Sequence, residues 1–142
     1  MKSELEKCLE YLNQKRSAWS QIKPFGKRMI IEGVNCIVHV PENKKDDCPL
    51  FLFMHGGAFI DGDAALVDSL CDIVSKETGC IAVNVNYVKC DVKPLPYADR
   101  EVIRVIKHFA GNSSFYGIDP GKIVIAGTSA GGHIAAGAAI LA

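Results

Sequence analysis

The longest apolar run in this 142-residue chain is IAAGAAILA at residues 134–142. That is about half the ~20 residues a bilayer-spanning helix requires, so no membrane span is expected. The N-terminal stretch MKSELEKCLEYLNQKR is charged along its length and lacks the apolar segment of a secretory signal. Charge of one sign is missing too. Lys plus Arg and Asp plus Glu each number 16, and this balance carries no basic footprint for nucleic acid. The six cysteines form no C-x-x-C pair, and no histidines cluster at metal-ligand spacing. They read as isolated reduced thiols in a cytoplasmic protein, with no metal and no cofactor implied. Internal repeats, low-complexity tracts and linkers are absent. What remains, at 49% apolar and 23% charged residues, is a single globular domain large enough to bury a core.

The pattern that is present alternates. Leu5, Cys8, Leu9 and Leu12 fall at i, i+3, i+4 and i+7, which predicts an amphipathic helix in an N-terminal segment spanning residues 1–25. That helix either packs on the domain surface or forms part of a lid. Two short β-type stretches follow, Met29–Glu32 and Cys36–Val40, and PENKKDD reads as a turn. Leu50–Met54 and Ile81–Val85 are apolar runs of strand length, as expected for strands covered on both faces. Between them Val67, Leu70, Cys71 and Val74 form a helical stripe that Gly79 should stop. Val102, Val105, Ile106 and Phe109 form another, with Gly111 as its stop. Asp119-Pro120-Gly121 reads as a turn, Lys122–Ala126 as a strand and 130–142 as a small-residue helix. Strand and helix alternating from residue 50 predict an α/β fold, a mostly parallel sheet with helices on both faces.

Two motifs carry chemistry. Gly127-Thr128-Ser129-Ala130-Gly131 lies between the strand KIVIA and the last helix, the context of a G-x-S-x-G nucleophile elbow. Such a turn holds a serine out of the sheet at a helix N-terminus, and its glycines let strand and helix backbones approach. His55-Gly56-Gly57-Ala58-Phe59 directly follows the strand Leu50–Met54. Glycines there allow backbone N–H groups to turn toward a developing oxyanion, where losing one donor costs about 3–4 kcal/mol. Either motif alone is a common loop. The two together, each after a buried strand, point to acyl transfer.

The stretch from about residue 48 to 142 resembles the hormone-sensitive-lipase-like branch of the α/β-hydrolases, also called α/β-hydrolase fold 3. It is similar as well to acetyl and feruloyl esterases and, more distantly, to kynurenine formamidases. HGGAF stands where the family has HGGGF, and NYVKCDVKPLP where it has Tyr-Arg-Leu-Ala-Pro-Glu-x-Pro-x-Pro. YGIDPGKIVIAGTSAGGHIAAGAAILA follows the family through the elbow almost position by position. Thr128 replaces a frequent Asp, Tyr87-Val88 replaces Tyr-Arg, and Asp91-Val92 replaces Pro-Glu. The resemblance implies hydrolysis of a small-molecule carboxylic ester by Ser129. Backbone N–H groups of Gly57, Ala58 and Ala130 would form the oxyanion hole, supported by His55, Gly56, Gly127 and Gly131. It also implies that residues 26–142 are the first five strands and connecting helices of one α/β-hydrolase domain.

In this fold an acid and then a histidine follow the serine along the chain. The 13 residues after Ser129 hold His133 and no acid. His133, one turn along the helix, reads as a surface or packing residue, His55 as a loop anchor, His108 as exposed and His39 as a strand residue. None is expected to be the base. Asp61 and Asp63 read as a turn and helix start, and Asp99 and Glu101 as charges complementing a helix dipole. Trp19, Phe59 and Tyr87 read as packing residues. Other readings stay open: a formamidase-like amide hydrolase, a prolyl-oligopeptidase-type peptidase, or a non-catalytic scaffold or binding module. Strand IVIA carries neither charge nor proline, so an open edge there would invite self-association or a complementing chain.

Overall fold

A computed structural model describes residues 1–142. The elements in order are α1 (Glu4–Ser20), β1 (Lys27–Ile31), β2 (Val34–His39), β3 (Cys48–Met54), a 3₁₀ turn (Ala64–Val67), α2 (Asp68–Thr78), β4 (Ile81–Val85), α3 (Tyr97–Gly111), α4 (Ser113–Tyr116), β5 (Ile118–Gly127) and α5 (Ala130–Leu141). The strands form one sheet in the order β1-β2-β4-β3-β5. The β1–β2 and β2–β4 pairs are antiparallel, and β3 runs parallel to both β4 and β5.

Alternation along the central strands sorts their side chains into two cores. Leu50, Leu52 and Met54 of β3 join Ile81, Val83 and Val85 of β4 under Val102, Val105 and Phe109 of α3 and Ile134 and Ala138 of α5. On the other face Phe53 and Ala82 meet Cys71 of α2. Helices therefore cover both faces, as the alternation of elements predicts. Gly79 ends α2 in the left-handed conformation, φ 73°, which costs glycine nothing. Leu70 of the expected stripe faces outward instead, 40% exposed.

Two expectations are corrected here. Helix α3 runs through Gly111 and is capped at Asn112, because α4 follows at once. Asp119-Pro120-Gly121 lies within β5 rather than before it, at an irregularity where the register against β3 shifts between Cys48 and Leu50. Helix α1 forms, opened by a capping box in which Ser3 and Glu6 bond each other's backbone. Its stripe face lies on the domain surface, with Leu9 and Leu12 half-buried and Leu5 68% exposed. Charge docks it. Lys15 pairs with Asp61 at 3.2 Å. Arg16 Nη1 and Nη2 donate to the two Asp91 carboxylate oxygens at 2.8 and 2.7 Å, and Nη2 also reaches the Ile60 carbonyl at 2.5 Å.

Candidate active site

Strands β3 and β5 are parallel neighbours in register to Met54 opposite Gly127. Both motifs therefore leave the sheet side by side at its carboxyl edge, where open parallel sheets bind ligands. The Thr128 N–H still donates to the Met54 carbonyl at 3.2 Å. Ser129 then turns the chain with φ 52° and ψ −120° and opens α5. This backbone is strained for an L residue, and such strain persists only where the surroundings enforce it. Here the enforcement is close packing. A Cβ on Gly131 would overlap the Met54 carbonyl, and one on Gly127 would overlap Gly131 itself. Ser129 ends up exposed at the edge.

The HGGAF loop lies against this turn. A Cβ built on Gly56 would stand 3.2 Å from the Thr128 carbonyl oxygen and 3.4 Å from Ser129 Cβ. Beyond it the backbone is left-handed at three residues running, with φ of 139° at Gly57, 51° at Ala58 and 67° at Phe59. The Gly57 carbonyl closes the turn by accepting from Ile60 at 3.1 Å and Asp61 at 2.7 Å. The N–H groups of Gly57 and Ala58 meet no backbone acceptor. The Ala130 N–H opens α5, where a helix has no intrahelical partner to offer. Three donors are thus left over beside one exposed serine.

Beneath the loop lies a polar layer that the sequence does not advertise. His55 is 1% exposed, stacked on Tyr87 with ring centroids 4.5 Å apart. Tyr87 donates its hydroxyl proton to the His55 carbonyl at 2.8 Å. Lys89, 7% exposed, reaches His55 Nε2 at 3.1 Å and the Tyr87 carbonyl at 2.8 Å. His55 Nδ1 lies 2.6 Å from the Gly56 carbonyl. Burial and, after it, the Lys89 charge push the His55 imidazole down to about 4. Burial likewise lowers the Lys89 ammonium to about 8. Asp63 accepts from Asn86 at 2.9 Å and caps the 3₁₀ turn through Ala65, which bears out its reading as a helix start. Lys89 was legible only as a departure, since the family segment places leucine there.

The remaining histidines are engaged elsewhere. His39 Nε2 lies 2.8 Å from Asp68. His108 bridges Glu32 and Tyr116 at 2.8 and 2.9 Å, so it is not simply exposed. His133 is exposed and stands edge-on to Phe59, centroids 5.4 Å apart. Asp99 lies in the first turn of α3, where its charge complements the helix dipole as expected, and Glu101 follows one turn in. Both are buried, Glu101 accepting from the Val88 N–H at 2.7 Å and Asp99 pressed against Gly137 of α5. Tyr87 is buried as a packing residue, and the Trp19 ring carries Lys15 Nζ at 4.9 Å from its centroid. No helix is long and apolar enough to cross a membrane.

A family model described as alpha/beta hydrolase fold matches residues 51–142. The chain belongs to the α/β-hydrolase fold family. Within it the match is to the fold-3, hormone-sensitive-lipase-like branch. Among curated relatives of this α/β-hydrolase, Lipase 2 of Moraxella sp. is 36% identical over 95 residues, which is 67% of this chain and 22% of that protein. Versiconal hemiacetal acetate esterase of Dothistroma septosporum is 32% identical over 107 residues, 74% of this chain and 32% of that protein. Among solved structures, a thermostable carboxylesterase from a metagenomic library matches with TM-score 0.72 and 28% identity, covering 99% of this chain and 50% of the other. The chain thus spans at most about half the length of these proteins.

Proposed function

We propose that this α/β-hydrolase chain carries the nucleophile and oxyanion hole of a carboxylic ester hydrolase. The relatives named lipase and esterase support the substrate class. Ser129 Oγ attacks the ester carbonyl carbon while a histidine takes its proton. The carbonyl oxygen becomes an oxyanion held by the N–H groups of Gly57, Ala58 and Ala130. The intermediate collapses, the alcohol leaves with the proton from histidine, and water repeats the sequence to free the acid and restore the serine. One observation carries the reading: Ser129 is held at φ 52° and ψ −120° with Gly56 packed against its Cβ, beside backbone donors that have no other acceptor. His39, His55 and His108 are hydrogen-bonded to other groups, and His133 lies one turn past the serine on α5, edge-on to Phe59. The acid and the base of the triad are therefore assigned to polypeptide beyond these 142 residues, in keeping with the greater length of the relatives.

The test is hydrolysis of p-nitrophenyl acetate. The 142-residue chain alone should turn it over very poorly, because an unassisted serine hydroxyl is a weak nucleophile. A longer protein that carries the acid and the histidine should be active and lose its activity on Ser129→Ala. Ordinary enzymic rates through Ser129 in the short chain would overturn the missing-base assignment. Activity surviving Ser129→Ala would overturn the nucleophile.

The same reading covers the sheet edge. Strand β5 is terminal, with Val124 52% exposed, and on α5 Ile140 is 83% and Leu141 54% exposed. A further strand of the same fold is proposed to pair there. Without it the short chain should self-associate through residues 123–126 of β5, since this uncharged, largely β-branched stretch is a template for pairing. Light scattering with hydrogen exchange decides this. A monomer at high concentration whose amides at 122–126 are as protected as those at 81–85 would rule it out.

A further inference from the structure

We propose that Lys89 is a positioning residue of the oxyanion loop: its ammonium holds the His55 imidazole in one tautomer, and the imidazole in turn sets the direction of the Gly57 N–H. The inference rests on the reading of the HGGAF loop given above, and it concerns a residue that neither chemical motif contains.

An ammonium has three protons to donate and no lone pair to accept with. Lys89 Nζ has three acceptors around it: the Tyr87 carbonyl at 2.8 Å, His55 Nε2 at 3.1 Å and Asn86 Oδ1 at 3.4 Å. It also sits 4.3 Å from the centroid of the Tyr87 ring. His55 Nε2 must therefore be the acceptor, and the single proton of the neutral imidazole is left on Nδ1. Nδ1 lies 2.6 Å from the Gly56 carbonyl, so that proton is donated to Gly56. In a planar trans peptide the C=O and the following N–H point in opposite directions. Pinning the Gly56 carbonyl on the His55 side therefore turns the Gly57 N–H away from His55. Gly57 N–H is one of the donors without a backbone acceptor, and Gly56 abuts Ser129. The Tyr87 hydroxyl holds the preceding peptide, at the His55 carbonyl, so the relay acts on a loop already fixed at its other end.

A packing role alone does not account for a lysine here. All three of its hydrogen bonds go to neutral acceptors, and burying an ammonium without a direct carboxylate partner is costly. The charged groups facing it are Asp63 from the loop before α2, Glu101 from α3, Asp91 from its own loop and Arg16 from α1. An apolar side chain of the same length would avoid that cost but could not dictate which ring nitrogen of His55 is protonated.

The experiment is ¹⁵N NMR of the His55 ring and the Gly57 amide. In the unaltered chain His55 should be protonated at Nδ1 alone at pH 7. In Lys89→Met, which keeps volume and removes the donor, that exclusive signature should be lost and the Gly57 amide resonance should move. The His55 pKa should also rise from about 4 toward its ordinary value of ~6.5. Lys89→Arg, still a donor, should restore the Nδ1–H form. Protonation at Nε2 in the unaltered chain overturns the proposal whether or not any variant folds. A folded Lys89→Met with His55 still purely Nδ1–H and the Gly57 amide unmoved overturns it as well. In a protein complete enough to hydrolyse esters, Lys89→Met should lower kcat about tenfold or more with KM little changed. If His55 and Gly57 respond while kcat does not, the relay stands and the oxyanion-hole assignment falls.

Discussion

The two ends of the parallel strands make an instructive pair. At the amino end lies a groove of about 800 Å³ lined in part by Lys27, His39, Asp72 and Ser75. It belongs to that end because His39 of β2 pairs opposite Ala82 near the start of β4. Most polar groups there are matched, Asn84 Oδ1 being a buried acceptor without a partner. Asp68 accepts from the Phe25 and Gly26 N–H groups at 2.8 and 3.2 Å and from Asn84 at 3.2 Å, and meets His39 Nε2 at 2.8 Å. The carboxyl end is distinguished by its backbone. It has Ala58, Phe59 and Ser129, three of the five non-glycine residues with positive φ, and the other two, Glu32 and Asp47, occupy turns. One end spends its hydrogen bonds on itself; the other leaves donors open and stores strain.

The difference can be broken at either end. Asp68→Ala should do most, costing about 3–5 kcal/mol because it leaves His39 and Asn84 buried without their acceptor. Urea unfolding measures it, and a cost near zero would mean that the amino end is not anchored by this carboxylate. Acid should separate the ends by pH. For His55, burial and Lys89 depress the folded value to about 4 against ~6.5 unfolded, so the unfolded chain binds the proton more tightly. Its contribution is complete above ~6.5 and is lost as pH falls toward 4, a loss of about 3 kcal/mol. For Asp68, burial opposes ionisation, but bonds from His39, Asn84 and Gly26 outweigh it and hold the carboxyl below its ordinary value. That contribution is present above the unfolded value of ~3.9 and is lost only below it. His55→Gln should flatten the upper window and leave the lower one; an unchanged slope between pH 4 and 6.5 would show that His55 does not set it. The smallest effect belongs to Ala58→Gly, which removes a Cβ at φ 51° and should raise stability by up to about 1 kcal/mol. A lowered melting temperature would mean that the methyl group packs usefully.

What could be seen in advance followed local rules. The apolar runs of β3 and β4, the glycine stop at Gly79 and the two glycine motifs depend on neighbours in sequence, and each lies where periodicity and turn chemistry put it. The misjudged features depend on distant neighbours. The α1 stripe obeys helical spacing, yet the contacts its face makes to Asp61, Ile60 and Asp91 come from the charged residues that continue it, Lys15 and Arg16. Asp99 is the helix-start charge it looks like, but the burial of Asp99 and Glu101 depends on α5 and the Val88 amide. Lys89 sits in a loop-like stretch, and the ring that explains it is 34 positions away. Burial of a charge is a property of the assembled fold, so no window of residues displays it.

The contact between Gly131 and the Met54 carbonyl has a bearing on descent as well as on shape. Position 131 is constrained by a backbone atom of a neighbouring strand, and that constraint does not relax when selection for chemistry does. Position 129 carries no such obligation to the sheet beyond tolerating its turn. A lineage that abandoned hydrolysis would therefore shed the serine quickly and keep the glycines for as long as it kept the architecture. In such a lineage the glycines would testify to ancestry, while, under the function proposed above, only the hydroxyl at 129 would testify to use.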